Sequence, residues 1–412
     1  MLKPLRLFFI SKTSRALGNN PIVLLLVRVS APSREGARRA ASHTPFRLSP
    51  GPRRESPHRE RYQRLQPYLA IASAPRHTAV MIYKTFGVIG AGAWGTACAQ
   101  ALAEAGRDVV IWAREPEVVH VIETEHRNTV FLPGAELSPE LRATNALGEL
   151  AACDAVLAVV PAQYMRATLA AFAPHARADV PVVLCSKGIE VETGAFMSDV
   201  LAATLPDAVP AVLAGPSFAI DVARGLPAAV TLACAREDTL EALGASIAST
   251  SFRPYLVTDV LGAEIGGAVK NVLAIACGIV LGLELGRSAH AAVIARGFAE
   301  MRRFGTALGA SPDTLTGLCG LGDLVLTCSS EQSRNMSCGL ALGRGKPLSA
   351  ILDGRRAVTE GVATAPVLAR IAAEQDVDMP ISRMVAAIVS GERSVSEAAP
   401  ELLARELRRE LG

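Results

Sequence analysis

Short apolar runs separated by helical or loop segments dominate the middle of the chain. Thr85-Phe-Gly-Val-Ile, Asp108-Val-Val-Ile-Trp, Asp154 to Val160, Pro181 to Cys185, Ala211 to Ala214 and Ala229 to Cys234 read as strands. The Ala-rich segment Thr96 to Gly106 reads as a helix between the first two. Strands and helices alternating in this way predict a doubly wound α/β sheet. From about Leu261 the pattern changes to long helical stretches punctuated by Gly and Pro, with almost no β-branched runs. That change predicts an all-helical C-terminal domain over 261–412, following an α/β domain over 81–260. The apolar stretch Val272 to Leu285 is read as a buried core helix, too short at fourteen residues to span a bilayer.

The first strand runs into Gly90-Ala91-Gly92-Ala93-Trp94-Gly95, a G-x-G-x-x-G sequence, and then into the predicted helix. Strand, glycine turn and helix in this order make the dinucleotide fingerprint of a Rossmann-type domain. The first glycine forms the tight turn, the second lets backbone approach a pyrophosphate, and the third lets helix pack on strand; the helix N-terminus faces the negative charge. An acid at the end of the second strand would hold a ribose 2′-hydroxyl and repel a 2′-phosphate. This chain has Ala113 followed by Arg114, which favours NADP, or dual use of NADPH and NADH, over strict NAD. Glu115 blurs that signal, and a solvated Arg114–Glu115 loop is the plain alternative.

Half of the 412 residues are apolar, enough for two domains with real cores. The net charge of +3 is unevenly spread: residues 1–80 hold 15 Lys plus Arg against 3 Glu, so the remainder is net acidic. The folded body therefore offers no case for a nucleic-acid surface. Residues 1–80 are rich in Arg, Pro, Ser and His, and read as a disordered leader. Their composition suits an organellar transit peptide, but the favoured expectation is translation from Met81 and a cytoplasmic enzyme. The eight cysteines are scattered without close ligand spacing and read as reduced core residues. His120, His126, His175 and His290 lie at no metal-binding spacing, so no metal is expected.

In Glu264-Ile-Gly-Gly-Ala-Val-Lys270-Asn271-Val, one lysine interrupts an apolar helical pattern. On a helix, Lys270 shares a face with Gly266, Gly267 and Ala274, which leave room for another group near its ammonium. Snorkelling to the surface is the bland account. The chemical one is a buried ammonium with a lowered pKa, able to act as general acid or base near neutrality. Asp323 sits in the glycine-rich turn Gly317-Leu-Cys-Gly-Leu-Gly-Asp, and Ser333-Arg334-Asn335 sets a guanidinium between two hydrogen-bonding side chains ahead of a small-residue helix. The first could be an ordinary loop aspartate and the second an ordinary helix cap; in the chemical reading the guanidinium suits a phosphate. Ser186-Lys187-Gly188 and Gly215-Pro-Ser217-Phe-Ala219 follow strands, at the carboxyl edge where open α/β sheets bind ligands.

From Phe86 to near Ala386 the chain resembles the bacterial-type NAD(P)-dependent glycerol-3-phosphate dehydrogenases. The resemblance rests on G-A-G-A-W-G-T-A, S-K-G-I-E, A-G-P-S-F-A, E-I-G-G-A-V-K-N, G-L-G-D-L-V-L-T-C, S-R-N and T-E-G-V in order. It implies that Lys270 transfers the proton and that Lys187, Gly215, Ser217, Asp323, Ser333, Arg334 and Asn335 surround the glycerol phosphate. It implies cofactor contacts at Trp94, Arg114, Lys187, Ala219, Arg334, Val358 and Glu360, besides Gly90, Gly92, Ala93 and Gly95 of the loop. Ala93 stands where the family often has serine, costing one hydrogen bond to the pyrophosphate.

The reaction implied is reversible hydride transfer between NAD(P)H and dihydroxyacetone phosphate, giving sn-glycerol 3-phosphate for phospholipid synthesis. No nucleic-acid partner and no membrane span are expected, and a homodimer is left open. Rival readings are a β-hydroxyacid dehydrogenase or ketopantoate reductase, whose substrates carry carboxylate, and a catalytically silent dinucleotide-binding regulator.

Overall fold

The computed structural model describes residues 81–353 and 358–398; the expectations for residues 1–80 lie outside the described residues. Eight strands form one sheet in the order β3-β2-β1-β4-β5-β6-β7-β8. They are β1 (Thr85–Ile89), β2 (Asp108–Trp112), β3 (Arg142–Thr144), β4 (Ala155–Ala158), β5 (Pro181–Leu184), β6 (Val209–Ala214), β7 (Ala228–Cys234) and β8 (Phe252–Val257). The pairs from β3 to β6 are all parallel, and this 3-2-1-4-5-6 order is the Rossmann arrangement. β7 then runs antiparallel to β6, and β8 parallel to β7.

The central strands are apolar at nearly every position because both faces of the sheet are covered. Phe86 and Val88 of β1 and Val109 and Ile111 of β2 enter one core, while Ile89 and Val110 enter the other. Every expected strand is present. β3 and β8 were not anticipated: β3 is three residues long, and β8 carries Pro254, which is tolerated at a sheet edge.

The second half of the described chain is helical and packs around one long helix, Val260–Gly282. Asp259 caps it, accepting from the Gly262 N–H at 2.9 Å. This helix corrects the expectation of a fourteen-residue segment: at 23 residues it is long and apolar enough to cross a membrane, but 89% of its apolar window is buried inside the protein. Burial, not length, identifies it as a core helix. Its glycines let neighbouring backbones touch it. A methyl on Gly278 would lie 2.2 Å from Met336 O, and one on Gly339 would lie 2.0 Å from Ile275 O. The Arg334–Gly343 helix is thereby seated directly on the Lys270 helix, which brings Ser333 to Asn335 to the same region.

Candidate active site

The glycine loop follows β1 directly. Gly90 has φ +111°, a left-handed conformation unfavourable for a side chain, and donates its N–H to Trp112 O at 3.0 Å. A methyl on Gly95 would come within 1.8 Å of Gly90 O, so the third glycine is required for the helix Ala93–Glu104 to leave the turn. Nothing lies within 4 Å of a methyl built on Gly92, so the face of the loop is open where backbone would meet a pyrophosphate. Gly92 caps the helix without a side-chain hydrogen bond, leaving first-turn N–H groups directed at that face. The Trp94 indole Nε1 is buried and has no hydrogen-bond partner among the described residues. An open glycine face, free amides and an orphaned donor fit a dinucleotide. Ala93 opens the helix with no hydroxyl to add, and Ala219 begins the short helix Ala219–Ala223, which packs on Ala93–Glu104.

Across the loop, four segments distant in sequence converge. Asp323 is 1% exposed and accepts from two lysines at once: Lys270 Nζ lies 2.5 Å from Oδ1, and Lys187 Nζ lies 2.8 Å from Oδ2. Lys270 also donates to Thr327 Oγ1 at 2.9 Å. Lys187 donates to Gly215 O at 3.1 Å, as does Ser217 Oγ at 3.0 Å. The Lys187 ammonium stands 5.8 Å from the centre of the Trp94 ring, which links this cluster to the glycine loop. Gly267 makes room for the Lys187 stem: its built methyl would touch Lys187 Cγ at 3.3 Å.

Burial pulls the Lys270 ammonium down to about 7, with Lys187 adding its repulsion against the opposing attraction of Asp323. For Asp323 burial acts upward, but the two lysines outweigh it and hold the carboxyl below its ordinary value. The arrangement therefore contains an ionised carboxylate and a lysine poised to give or take a proton near neutrality. Asp323 is not in a loop, as expected, but opens the helix Asp323–Ser329 after a π-helical turn over Leu318–Gly322.

A second set of bonds ties the phosphate candidates to the same helix. Asn271 Nδ2 donates to Lys187 O, Asn335 Nδ2 donates to Asn271 Oδ1, and Gly361 N–H donates to Asn335 Oδ1, at 2.8, 2.8 and 2.9 Å. Asn335 thus spends both ends of its amide on the scaffold, with its second Nδ2 hydrogen outside these two bonds. Ser333 caps its helix, accepting from Met336 N–H at 3.2 Å. Arg334 beside it is exposed and is attracted to Glu360. Glu360 accepts from Ala162 N–H at 3.1 Å and fills the space in front of Gly188, and half-buried Val358 precedes it by two residues.

Lys187, Gly215, Ser217, Lys270 and Asp323 thus meet directly, while Asn335 and Glu360 join them through Asn271 and Gly188. Arg114 stands apart at the end of β2, 79% exposed and paired with Glu115 at 2.7 Å. Two residues of the cluster were not singled out from sequence. Thr327 is four residues after Asp323, one helical turn away, and that spacing was a usable signal. Asn271 gave none beyond its place next to Lys270. Among the described residues no three His, Cys, Asp or Glu side chains are grouped to hold a metal.

The family models described as NAD-dependent glycerol-3-phosphate dehydrogenase N-terminus and C-terminus match residues 85–240 and 259–400. A glycerol-3-phosphate dehydrogenase [NAD(P)+] of Hyphomonas neptunium is 62% identical over 330 residues, covering 80% of this chain and 98% of that protein. The Caulobacter vibrioides protein of the same name is 58% identical, covering 80% and 100%. The crystal structure of glycerol-3-phosphate dehydrogenase from Coxiella burnetii superposes with a TM-score of 0.75 at 35% identity, covering 78% of this chain and 99% of that one. With its dinucleotide loop, its lysine–aspartate cluster and these matches over nearly the full length of its relatives, the chain belongs to the NAD(P)-dependent glycerol-3-phosphate dehydrogenase family.

Proposed function

We propose that this chain interconverts dihydroxyacetone phosphate and sn-glycerol 3-phosphate with NAD(P)H or NAD(P)+, supplying glycerol 3-phosphate for phospholipid synthesis. The observation that carries this reading is the shared carboxylate of Asp323, which holds Lys270 beside the glycine loop through Lys187 and Trp94. We assign dinucleotide binding to residues 81–260 and substrate binding and proton transfer chiefly to residues 261–412, with Lys187 and Ser217 of the first part contributing to the substrate site.

The nicotinamide, when bound, supplies or accepts the hydride at C2 of the substrate. Lys270 delivers a proton from Nζ to the C2 oxygen in the reducing direction and withdraws it in the other. Asp323 stays ionised and holds Nζ in place, and Thr327 accepts a second hydrogen of that ammonium, so its direction is fixed before substrate arrives. Lys187 adds positive charge that stabilises the developing oxyanion. Arg334 and the remaining N–H of Asn335 take the phosphate, and Ser217 is a further substrate contact. Gly90, Gly92, Ala93, Trp94 and Gly95 would hold the dinucleotide at its pyrophosphate, and Arg114, Lys187, Ala219, Arg334, Val358 and Glu360 would supply its other contacts.

The eight buried, unbridged cysteines support a reducing compartment, and we place the reaction in the cytoplasm. The test is turnover of dihydroxyacetone phosphate against ketopantoate and β-keto acids of similar size. A phosphate-selective site predicts a kcat/KM at least a thousandfold higher for the triose phosphate. Preference for a carboxylate substrate would overturn the assignment.

A further inference from the structure

The glycine loop is gripped from behind by a residue that no part of the dinucleotide fingerprint includes. Asn128 lies in the loop after the helix Pro116–Glu125, 37 residues from Ala91, and is 1% exposed. One hydrogen of its Nδ2 goes to Ala91 O at 2.8 Å and the other to Thr96 Oγ1 at 2.8 Å. Thr96, itself fully buried, adds a weaker bond from Oγ1 to the same Ala91 carbonyl at 3.3 Å. Oδ1 of Asn128 accepts the Phe131 N–H at 3.0 Å, which locks the amide so that Nδ2 must face the loop.

The grip matters because of peptide geometry. A trans peptide is planar, and its C=O and N–H point in opposite directions. The carbonyl of Ala91 and the N–H of Gly92 belong to one such plane. Holding the carbonyl inward on Asn128 therefore turns the Gly92 N–H away from Asn128, and Gly92 itself has open space in front of it, with nothing within 4 Å of a methyl built there. Glycines on both sides of Ala91 make this peptide easy to rotate, so its orientation needs an external anchor.

We propose that Asn128 is a positioning residue for the dinucleotide: by fixing the Ala91–Gly92 peptide it presents the Gly92 amide to the pyrophosphate. This rests on the dinucleotide reading of the loop. Asn128 is buried behind the loop and, among the described residues, its side chain bonds only Ala91, Thr96 and Phe131, none of the lysine–aspartate cluster, so its removal weakens cofactor binding and leaves the proton-transfer cluster in place.

The test is direct titration of NADPH, followed by its fluorescence, on the purified protein and on Asn128→Ala, with thermal melts of both. Steady-state constants for dihydroxyacetone phosphate complete the comparison. The proposal expects a cooperative melt, a Kd for NADPH raised at least tenfold, and kcat at saturating cofactor within about threefold of the parent. An unchanged Kd in a folded Asn128→Ala protein overturns it, as does an equal loss in the KM for both substrates. If Asn128→Ala gives no cooperative melt, Thr96→Val is read instead, since it removes a donor to the same carbonyl. It should raise Kd about threefold, and an unchanged Kd there overturns the proposal as well. Failure of the parent protein to bind NADPH or NADH would remove the dinucleotide reading itself, a result distinguishable from any effect confined to the variants.

Discussion

Lys187 and Lys270 are held on opposite oxygens of one buried carboxylate, that of Asp323, at 2.8 and 2.5 Å. Two ammonium groups so close would repel each other, and the shared anion is what makes their approach tolerable. The cluster joins the two halves of the chain, since Lys187 follows β5 while Lys270 and Asp323 sit on helices of the C-terminal half. It also divides the labour: Lys187 is anchored twice, to Asp323 and to Gly215 O, whereas Lys270 is the more deeply buried and the one brought near neutrality.

Replacing Lys270 with Ala should lower kcat at least a hundredfold while the Kd for NADPH changes little, as expected when a positioned proton donor is lost. Lys187 still pairs Asp323 in that variant, so the fold should survive. Lys270→Arg should not restore the rate, because a guanidinium does not release its proton near neutral pH. Retention of more than about a tenth of the parental kcat, with chemistry limiting, would remove Lys270 from this role.

Glu264 should make stability fall with rising pH. It is buried six residues before Lys270, accepts the Ser198 N–H and hydroxyl at 2.8 and 2.7 Å, and burial raises its carboxyl to about 8. Between its ordinary value of 4.5 and about 8, the folded chain holds a proton that the unfolded chain has released. Stability from this group is complete below that window and is lost as pH climbs through it, at up to about 1.4 kcal/mol per pH unit. Lys270 acts in the opposite sense between about 7 and its ordinary 10.5, so the comparison must be with Glu264→Gln, not with pH alone. Urea midpoints at pH 5.5 and 7.5 should drop more for the parent than for the variant; parallel changes would exclude Glu264 as the source.

Arg114 is the candidate for reading a 2′-phosphate, and its ion pair with Glu115 leaves it exposed beyond Ala113. Arg114→Ala should raise the KM for NADPH about tenfold or more, as for loss of a charge-assisted contact, and that for NADH far less. Equal effects on both cofactors would show that the guanidinium does not distinguish them.

The sheet and the glycine loop were legible because most of their determinants are local: apolar runs fix the central strands, Gly90 takes a positive φ, and Gly95 is demanded by Gly90 O five residues before it. Lys270 was legible as an anomaly, a charge where the pattern demanded an apolar side chain. Its partners were harder to read, since Asp323 and Lys187 are 53 and 136 residues away from the groups they meet and only folding juxtaposes them. Thr327 follows from helix spacing once Asp323 is known to open a helix, which its glycine-rich surroundings disguised. The edge strands β3 and β8 escaped because three residues, or a segment with a proline, carry no usable periodicity. The helical run around Lys270 and the apolar stretch from Val272 prove to be one helix, Val260–Gly282, whose Gly278 and Gly282 serve as contact points for Met336, Gly339 and Gly343.

Whether Lys270 exchanges the proton that accompanies hydride transfer is read from paired pH profiles. Values of kcat/KM would be measured from pH 5.5 to 9.5 for reduction of dihydroxyacetone phosphate and for oxidation of sn-glycerol 3-phosphate. Reduction requires the ammonium and oxidation the free amine. With Lys270 brought to about 7, reduction should fall above that pH and oxidation should fall below it, giving opposed limbs with a common midpoint. Two limbs falling on the same side, or an oxidation rate that does not decline below pH 7, would remove Lys270 from the proton step.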